Sequence, residues 1–375
     1  MSTIKVNKIE HTGTTNGGVE IDSSGHVKVD GLQMPTTGPL SHRNLIINGA
    51  MLVAQRGTSS TSSGYHTVDR FPLQFSQGAQ TQTQESLTSG SPYSEGFRKF
   101  ARIANTTAST AAAAKRQISH IIEARDLANS GWNYTSSSSY ITLSFWVRAS
   151  VTQTYYVNLT TLDGTAQHYA FAISLTADTW TKIEQTIPGN SNITINNDNG
   201  AGMQIDFVPF FGTNFTDSGF TVDAWAAFSS SSRYPDFTTT WAGTANATFD
   251  VTGVQLEVGE KATPFEHRSF DDEQQRCLRY FYKASWAFCN KLSGIGYRFI
   301  PPGPATKMRT APTHSYFNPS TGTANQAREH SSGTAYTIND NTNANSNAQG
   351  PTSYFGTSSS TTYAVQCTIH YDAEL

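Results

Sequence analysis

Within residues 1–40 the apolar positions come in pairs two apart, Ile4 and Val6, Val19 and Ile21, Val27 and Val29, each pair flanking one charged residue. A period of two predicts strands, and Gly13, Gly18, Gly25 and Gly31 mark the turns between them. Strands this short cannot bury enough apolar area to offset the entropy lost in ordering them. They are expected to need a partner, and copies of the same segment would supply one. Met34-Pro35-Thr36-Thr37-Gly38-Pro39 then stops any strand ladder, because proline has no N–H to donate. A boundary near residue 40 follows.

From Asn44 to Glu266 strand-sized runs are separated by clusters of Gly, Ser, Asn and Asp, the spacing of an all-β sandwich or barrel. In Ile141-Thr142-Leu143-Ser144-Phe145-Trp146-Val147 the four aliphatic and Phe positions share one face, and Thr142, Ser144 and Trp146 share the other. Thr154–Leu159 and Gln204–Val208 are further strand candidates, and Glu123–Ala128 interrupts the pattern as a turn or short helix. The clearest helix begins at Ser269, whose hydroxyl three residues before Asp272 forms a capping-box-like start with Asp271, Asp272 and Glu273 in the first turn. Cys277, Leu278, Phe281 and Tyr282 continue at helical spacing, which predicts a helix to about Lys283. Beyond it, Gly and Pro break up short runs, residues 331–350 read as surface loop or solvated hairpin, and Tyr363–Tyr371 alternates as a long strand. The expected organisation is residues 1–40, a β domain over 41–268, and a helix with a smaller β domain over 269–375.

Composition narrows the class. Hydrophobic residues make up 37% and charged residues 14%, the deficit being filled by hydroxyls, amides and glycine, yet 21 Phe, 16 Tyr and 6 Trp argue against solvated disorder. A net charge of −3 leaves no cationic excess for a phosphate backbone, so nucleic-acid binding is disfavoured. No stretch is apolar enough for a signal peptide or a membrane span, which predicts a product made soluble in a cytoplasm. Cys277, Cys289 and Cys367 fit neither a disulfide framework nor a zinc site and are expected as buried thiols.

Several stretches together carry a resemblance. Asn44-Leu45-Ile46-Ile47-Asn48-Gly49-Ala50-Met51, Gln55-Arg56-Gly57 and Val68-Asp69-Arg70-Phe71 come first. Leu143–Arg148, Val254–Gly259, Ala262–Arg268 and Gln275–Phe281 follow in order. Over residues 44–283 the chain resembles modules of bacteriophage tail fibres and related virion proteins. Pro301-Pro302-Gly303 followed by Met308–Thr313 looks like the C-termini of such fibres.

The resemblance implies a jelly-roll sandwich of the carbohydrate-binding type in a homotrimeric fibre. Its N-terminus would join other tail or baseplate proteins, and the rest would meet host cell-surface polysaccharide, without membrane insertion. The expected location is the virion, after synthesis in the host cytoplasm. The alternatives are a structural adaptor or head or tail decoration that binds no sugar, and a fibre that degrades polysaccharide.

The chemistry points to binding rather than turnover. The chain has no G-x-S-x-G elbow, no phosphate loop and no H-E-x-x-H helix. Asp206, Asp217, Asp223 and Asp236 are the carboxylates a glycan depolymerase could draw on, but each reads as a turn or surface acid. No cofactor is required. The resemblance places Asp250 near a structural calcium, and Asp198 within Asn196-Asn197-Asp198-Asn199-Gly200 adds a hard oxygen, although that run lacks a full calcium-loop pattern. Sugar recognition asks for aromatic faces flanked by amides and hydroxyls. Trp225, Tyr234 and Trp241 lie in or next to a Ser-rich loop-like segment, and Tyr316, Phe317, Tyr336 and Tyr354 lie among Asn, Ser and Thr in the C-terminal domain; these seven are the candidate glycan contacts.

Overall fold

A computed structural model describes residues 8–9, 18–35, 41–291, 297–299, 306–330, 332–337, 339–340, 345–347, 350–352, 354–356 and 365–375. The chain divides into two units, Met1–Arg268 and Ser269–Leu375, so residues 1–40 belong to the first. In chain order that unit contains β1 (Lys8–Ile9), β2 (Val19–Ile21), β3 (Val27–Val29), β4 (Leu32–Gln33), β5 (Ser59–Ser60), β6 (Leu73–Ser76), β7 (Ala79–Ser86), α1 (Ser91–Ser94), β8 (Lys99–Thr107), β9 (Lys115–Glu123), α2 (Ala124–Ala128), β10 (Tyr140–Ala149), β11 (Gln153–Thr161), β12 (Gln167–Leu175), β13 (Thr181–Pro188), β14 (Ala201–Phe211), β15 (Trp225–Ala227), α3 (Thr240–Gly243) and β16 (Thr248–Val258).

Strands β1 to β4 form a small antiparallel sheet. Its register sets Ile9 beside Val19, Val19 beside Val29, Ile21 beside Val27 and Val29 beside Leu32, so these six aliphatics share one face. Lys8, Glu20, Lys28 and Gln33 take the other. All six aliphatic side chains are exposed. The expected strand at Ile4–Val6 lies outside the described residues.

The fold of the rest of the unit is an all-β sandwich with jelly-roll connections. Its two antiparallel sheets run β13-β10-β16-β8-β7-β5 and β15-β12-β11-β14-β9-β6. Ile141, Leu143, Phe145 and Val147 of β10 face inward as their alternation predicts and meet Val157 and Leu159 of β11 and Ile205 and Phe207 of β14 in one buried cluster. Phe145 meets Phe207 edge to face, with ring centroids 5.0 Å apart. Each such side chain contributes about 1.5–3 kcal/mol by leaving water. Trp146, on the opposite face of β10, is also covered: it joins Leu87, Phe97 and Phe100 in a second cluster, and its Nε1 donates to Glu95 Oε2 at 3.1 Å.

Pairing between β10 and β16 slips between Ser144 and Trp146, opposite Gly253, whose φ of +63° suits glycine. The bulge makes room for the strap Asn44–Gly49. Leu45 N donates to Leu256 O at 2.9 Å and Val254 N to Gly49 O at 2.9 Å. Asn44 Nδ2 donates to Val254 O and Asn44 Oδ1 accepts from Leu256 N. The strap lies so close that a Cβ on Gly49 would stand 2.1 Å from Val254 O.

The second unit opens with α4 (Phe270–Leu278), followed by β17 (Phe281–Lys291), β18 (Tyr297–Phe299), β19 (Thr313–Phe317), β20 (Gln326–Glu329), β21 (Ala335–Thr337), β22 (Asn339–Asp340), β23 (Asn345–Asn347), β24 (Gly350–Thr352), β25 (Tyr354–Gly356) and β26 (Val365–Asp372). Ser269 caps α4, its Oγ accepting from Asp272 N at 3.2 Å. The helix stops at Leu278 rather than near Lys283, because Phe281 and Tyr282 pair with Asp372 and Tyr371 of β26. Tyr316, Ile369, Tyr371 and Met308 form the core of this unit. Cys277 and Cys367 are buried, and the side chain of Cys289 lies outside the described residues.

Gly49→Ala should lower stability by about 2 kcal/mol in urea titrations, the scale of overpacking a tight backbone contact. Gly219→Ala, whose new Cβ would meet only the Asp217 carboxylate at 3.4 Å, should leave the midpoint nearly unchanged.

Candidate functional site

Strand β15 pairs with the edge of β12 in a register that sets Trp225 beside Tyr169, Ala226 beside His168 and Ala227 beside Gln167. One flank of the Trp225 indole meets Tyr169, with centroids 5.5 Å apart and planes tilted by 58°, and its Nε1 donates to Pro188 O at 2.7 Å. The ring is thus fixed and half-buried. It lines a groove of about 570 Å³ together with Thr165, Gln167, Asn192, Thr194 and the two alanines of β15. The groove is shaped by two local devices. The backbone N–H of Gln167 donates to Thr161 Oγ1 at 2.9 Å, and its side-chain Nε2 donates to Thr165 O at 3.1 Å. Gly164, with φ +60°, turns the chain against Thr194, where a Cβ would stand 2.9 Å from its side chain. No charged side chain lines this groove. An indole beside amides and hydroxyls fits a neutral polyhydroxylated ligand.

The other expected aromatic contacts fall elsewhere. Tyr234 and Trp241 are fully buried and belong to the sandwich core, so they cannot meet a glycan from solvent; the Ser-rich segment folds back over the sheet instead of projecting as a loop tip. Trp241 Nε1 donates to Thr248 O at 3.0 Å, and Tyr234 packs among Tyr156, Phe211 and Phe237. Tyr316 is likewise a core residue of the second unit. Phe317 is half-buried, its ring centroid 4.3 Å from that of His370. Tyr336 and Tyr354 lie on β21 and β25, and their side chains lie outside the described residues.

The calcium expectation also needs correcting at Asp250. Its carboxylate is fully buried between two guanidiniums, accepting from Arg102 Nε and Nη2 at 2.8 and 2.9 Å and from Arg148 Nε and Nη2 at 3.0 and 2.7 Å. Two positive charges already neutralise it and repel a cation. Asp198 Oδ1 closes a turn by accepting from Gly200 N at 2.8 Å, and no group of three or more His, Cys, Asp or Glu side chains suited to a metal occurs among the described residues. Asp217 closes a turn onto Gly219 N, and Asp236 accepts from Thr216 Oγ1 at 2.5 Å.

The sheet face turned away from the sandwich core carries a feature that sequence reasoning missed. Asn158 of β11 pairs with Asp206 of β14, which pairs with Ser119 of β9; in the next row Thr160 lies between His168 and Gln204. An outward row of this kind is normally solvated, yet Asn158, Asp206, Ser119 and His168 are buried. The chain between β14 and α3 covers them. Asp223 N donates to Ala170 O at 2.8 Å, Phe220 and Phe228 lie edge-on to the His168 ring, and Arg233 Nη2 stands 3.6 Å from Asp206 Oδ2. Ser119 Oγ, Gln117 Nε2 and Gln204 Nε2 all donate to Asp206 Oδ1, at 2.6, 3.0 and 2.6 Å.

In this layer Asn158 interacts with both Asp206 and Tyr234, whereas the buried His168 Nδ1 and Arg233 Nε have no hydrogen-bond partner in the chain. Each such orphan costs about 1–3 kcal/mol. Burial raises the Asp206 carboxyl above its usual range against the pull of Arg233 and its hydrogen bonds, and burial followed by Arg233 pushes His168 down to about 4. The imidazole is therefore neutral at pH 7.

No family model and no curated protein matches the chain. Solved structures are similar over about half of it. The enzymatically active domain of tailspike protein 4 of bacteriophage CBA120 is 11% identical, with 57% of this chain and 21% of that chain covered and a TM-score of 0.31. The chain thus spans about a fifth of that tailspike domain. The family 11 carbohydrate-binding module of cellulase Lic26A-Cel5E of Clostridium thermocellum is 11% identical, with 54% and 96% covered and a TM-score of 0.28. The tripod from the baseplate of bacteriophage Tuc2009 is 14% identical, with 63% and 61% covered and a TM-score of 0.27. At these identities and TM-scores the likenesses decide neither family nor activity.

Trp241→Ala should cost about 3–5 kcal/mol in urea titrations as a core truncation, whereas Trp225→Ala, at the rim, should cost clearly less. The depressed His168 value means that the folded chain takes up this proton later than the unfolded chain. Its stabilising contribution is complete above about 6.5 and is lost as pH falls toward about 4. Urea midpoints measured across that window should fall in the native chain and fall less in His168→Gln, with a residual slope from His120, which burial also holds neutral.

Proposed function

We propose that this chain is the receptor-binding part of a bacteriophage tail fibre, holding host surface glycan by multivalent, non-covalent contact. The observation that carries the reading is the neutral groove built on Trp225, where an indole face stands beside amides and hydroxyls. Weak affinity at one groove is multiplied when several copies engage one surface. The ordered motifs over residues 44–283 support the phage setting, in which the working protein would be part of the virion.

Homotrimerisation is part of the reading. The six exposed aliphatics on one face of the β1–β4 sheet are the kind of surface that sister chains bury, and three copies about one axis would close it. The N-terminus would then join the tail or baseplate. The adhesion proposed needs neither cofactor nor catalysis; Asp217 closes a turn and Asp236 accepts from the Thr216 hydroxyl.

One observation favours a second reading, a virion adaptor or decoration protein that binds no sugar. The residues that carry the resemblance hold the strap in place: Glu266 accepts from the N–H groups of Arg43 and Asn44 at 3.3 and 3.0 Å, and Arg268 donates to Asn44 O and Ile46 O. They secure the fold without touching the groove.

Full-length protein applied to an array of bacterial surface polysaccharides should bind a subset, and Trp225→Ala should weaken that binding about tenfold or more, the worth of about 1.4 kcal/mol. Binding to none of them while the protein is retained in the particle would favour the adaptor. Sedimentation should return a trimer, and Ile21→Glu combined with Val29→Glu should convert it to monomer with the sandwich still folded.

A further inference from the structure

On the face of β15 that carries Trp225, the register sets Ala227 directly opposite Gln167 and Trp225 opposite Tyr169. Directly paired residues on one sheet face hold their Cβ atoms about 4.5–5.5 Å apart. An indole, a methyl group and a side-chain amide are therefore immediate neighbours, and all three line the same groove of about 570 Å³. The hydrogen-bonding capacity left to them is unequal. The Trp225 indole N–H is spent on Pro188 O at 2.7 Å, so the ring offers only its carbon surface. Gln167 Nε2 donates to Thr165 O and Ala166 O at 3.1 and 3.3 Å, which uses both amide hydrogens. The same two bonds fix which way round the amide lies, since a flip would set its oxygen against two carbonyls. Gln167 Oε1 accepts nothing among the described residues, yet it is not sealed from solvent.

A ligand of this groove must bring three groups side by side: a donor for the fixed Gln167 oxygen, a small apolar group for the Ala227 methyl, and a C–H face for the indole. A hydroxyl meets the first demand and not the second. An acetamido group meets both, because its N–H donates while its methyl, one carbonyl away, is apolar. The carbonyl between them needs a donor of its own. Thr165, Asn192 and Thr194 line the groove with side chains that make no hydrogen bond among the described residues, and any of them can give one. No charged side chain lines the groove, so a uronic acid or a free amino sugar would find no counter-charge there.

We propose that the Trp225 groove selects acetamido sugars, with Gln167 and Ala227 as the residues that determine the preference. The inference rests on the reading of the groove as a glycan site and adds which sugars it takes. The acetamido N–H donates to Gln167 Oε1, the acetyl methyl packs on Ala227, and the pyranose ring lies against Trp225. The arrangement is built before a ligand arrives: the amide is held by two carbonyls of its own turn, and the indole by Pro188 O and Tyr169. Little ordering is left to oppose binding.

The test is a saturation-transfer NMR titration of the full chain with three pairs of methyl glycosides that differ only at C2: N-acetylglucosamine against glucose, N-acetylgalactosamine against galactose, and N-acetylmannosamine against mannose. At least one acetamido sugar should bind about fivefold or more tightly than its hydroxyl partner, the worth of about 1 kcal/mol. Ala227 is exposed, so Ala227→Asp should fold like the native chain, and it should bring that ratio close to one. Gln167→Met, which keeps the length of the side chain and removes the oxygen, should do the same. The ratio is the readout because a loosened turn alone would weaken both members of a pair equally. Peptidoglycan and outer surface polysaccharide are the two bacterial sources of the group, and whichever retains the native chain should lose it on de-N-acetylation and regain it on re-acetylation. Ratios near one in all three native pairs, a preference that survives both substitutions, or retention indifferent to the acetyl group would overturn the inference. Polysaccharide binding that still depends on Trp225 would then leave the groove a glycan site without this selectivity, whereas binding to no glycoside and no polysaccharide would overturn both readings.

Discussion

Strand β16 is held along its length by three neighbours: β10, β8 and the strap Asn44–Gly49. The strap can lie there only because Gly253 bulges the strand and Gly49 presents no side chain to Val254 O. Much of the first unit follows from that contact. The Glu266 carboxylate anchors the start of the strap through the Arg43 and Asn44 N–H groups, and burial there is outweighed by the Asn44 N–H and by Arg268, which hold its pKa below the ordinary range. Both faces of β10 are covered, and the opposite sheet presents Trp225 at its edge.

The parts of the fold governed by local periodicity were legible in the sequence. Ile141, Leu143, Phe145 and Val147 alternate because one face must be apolar, and that face is the core. Ser269 is a cap because its hydroxyl reaches Asp272 N three residues on. The end of the same helix was not legible: Phe281 and Tyr282 keep helical spacing, but their fate is set by Asp372 and Tyr371, far away in sequence. Asp250 is a similar case. Nothing adjacent to it says that Arg102 and Arg148 will close on its carboxylate from two neighbouring strands.

The aromatic residues of the Ser-rich segment show the same division. Trp225, Tyr234 and Trp241 sit in matching polar surroundings in sequence, yet only Trp225 lines a groove. Tyr234 and Trp241 are buried because the segment returns over a sheet face that is itself polar. A hint was present in the alternation of β14, where Gln204 and Asp206 break an otherwise apolar strand. Polar residues on the outward face of a central strand imply either water or a cover, and only the three-dimensional path of the chain distinguishes the two. The groove is open and uncharged, whereas the covered layer balances a carboxylate against a guanidinium.

The small N-terminal sheet has a consequence for biogenesis. Its aliphatic side and its Lys-Glu-Lys side are separated as cleanly as in a detergent. A nascent chain that emerges N-terminus first exposes this oily ribbon to the crowded cell before the sandwich has been synthesised. If sister chains bury this face, as proposed, chains emerging close together from one messenger would find each other sooner than freely diffusing ones, and assembly on polysomes would shorten the interval in which the ribbon can capture the wrong neighbour.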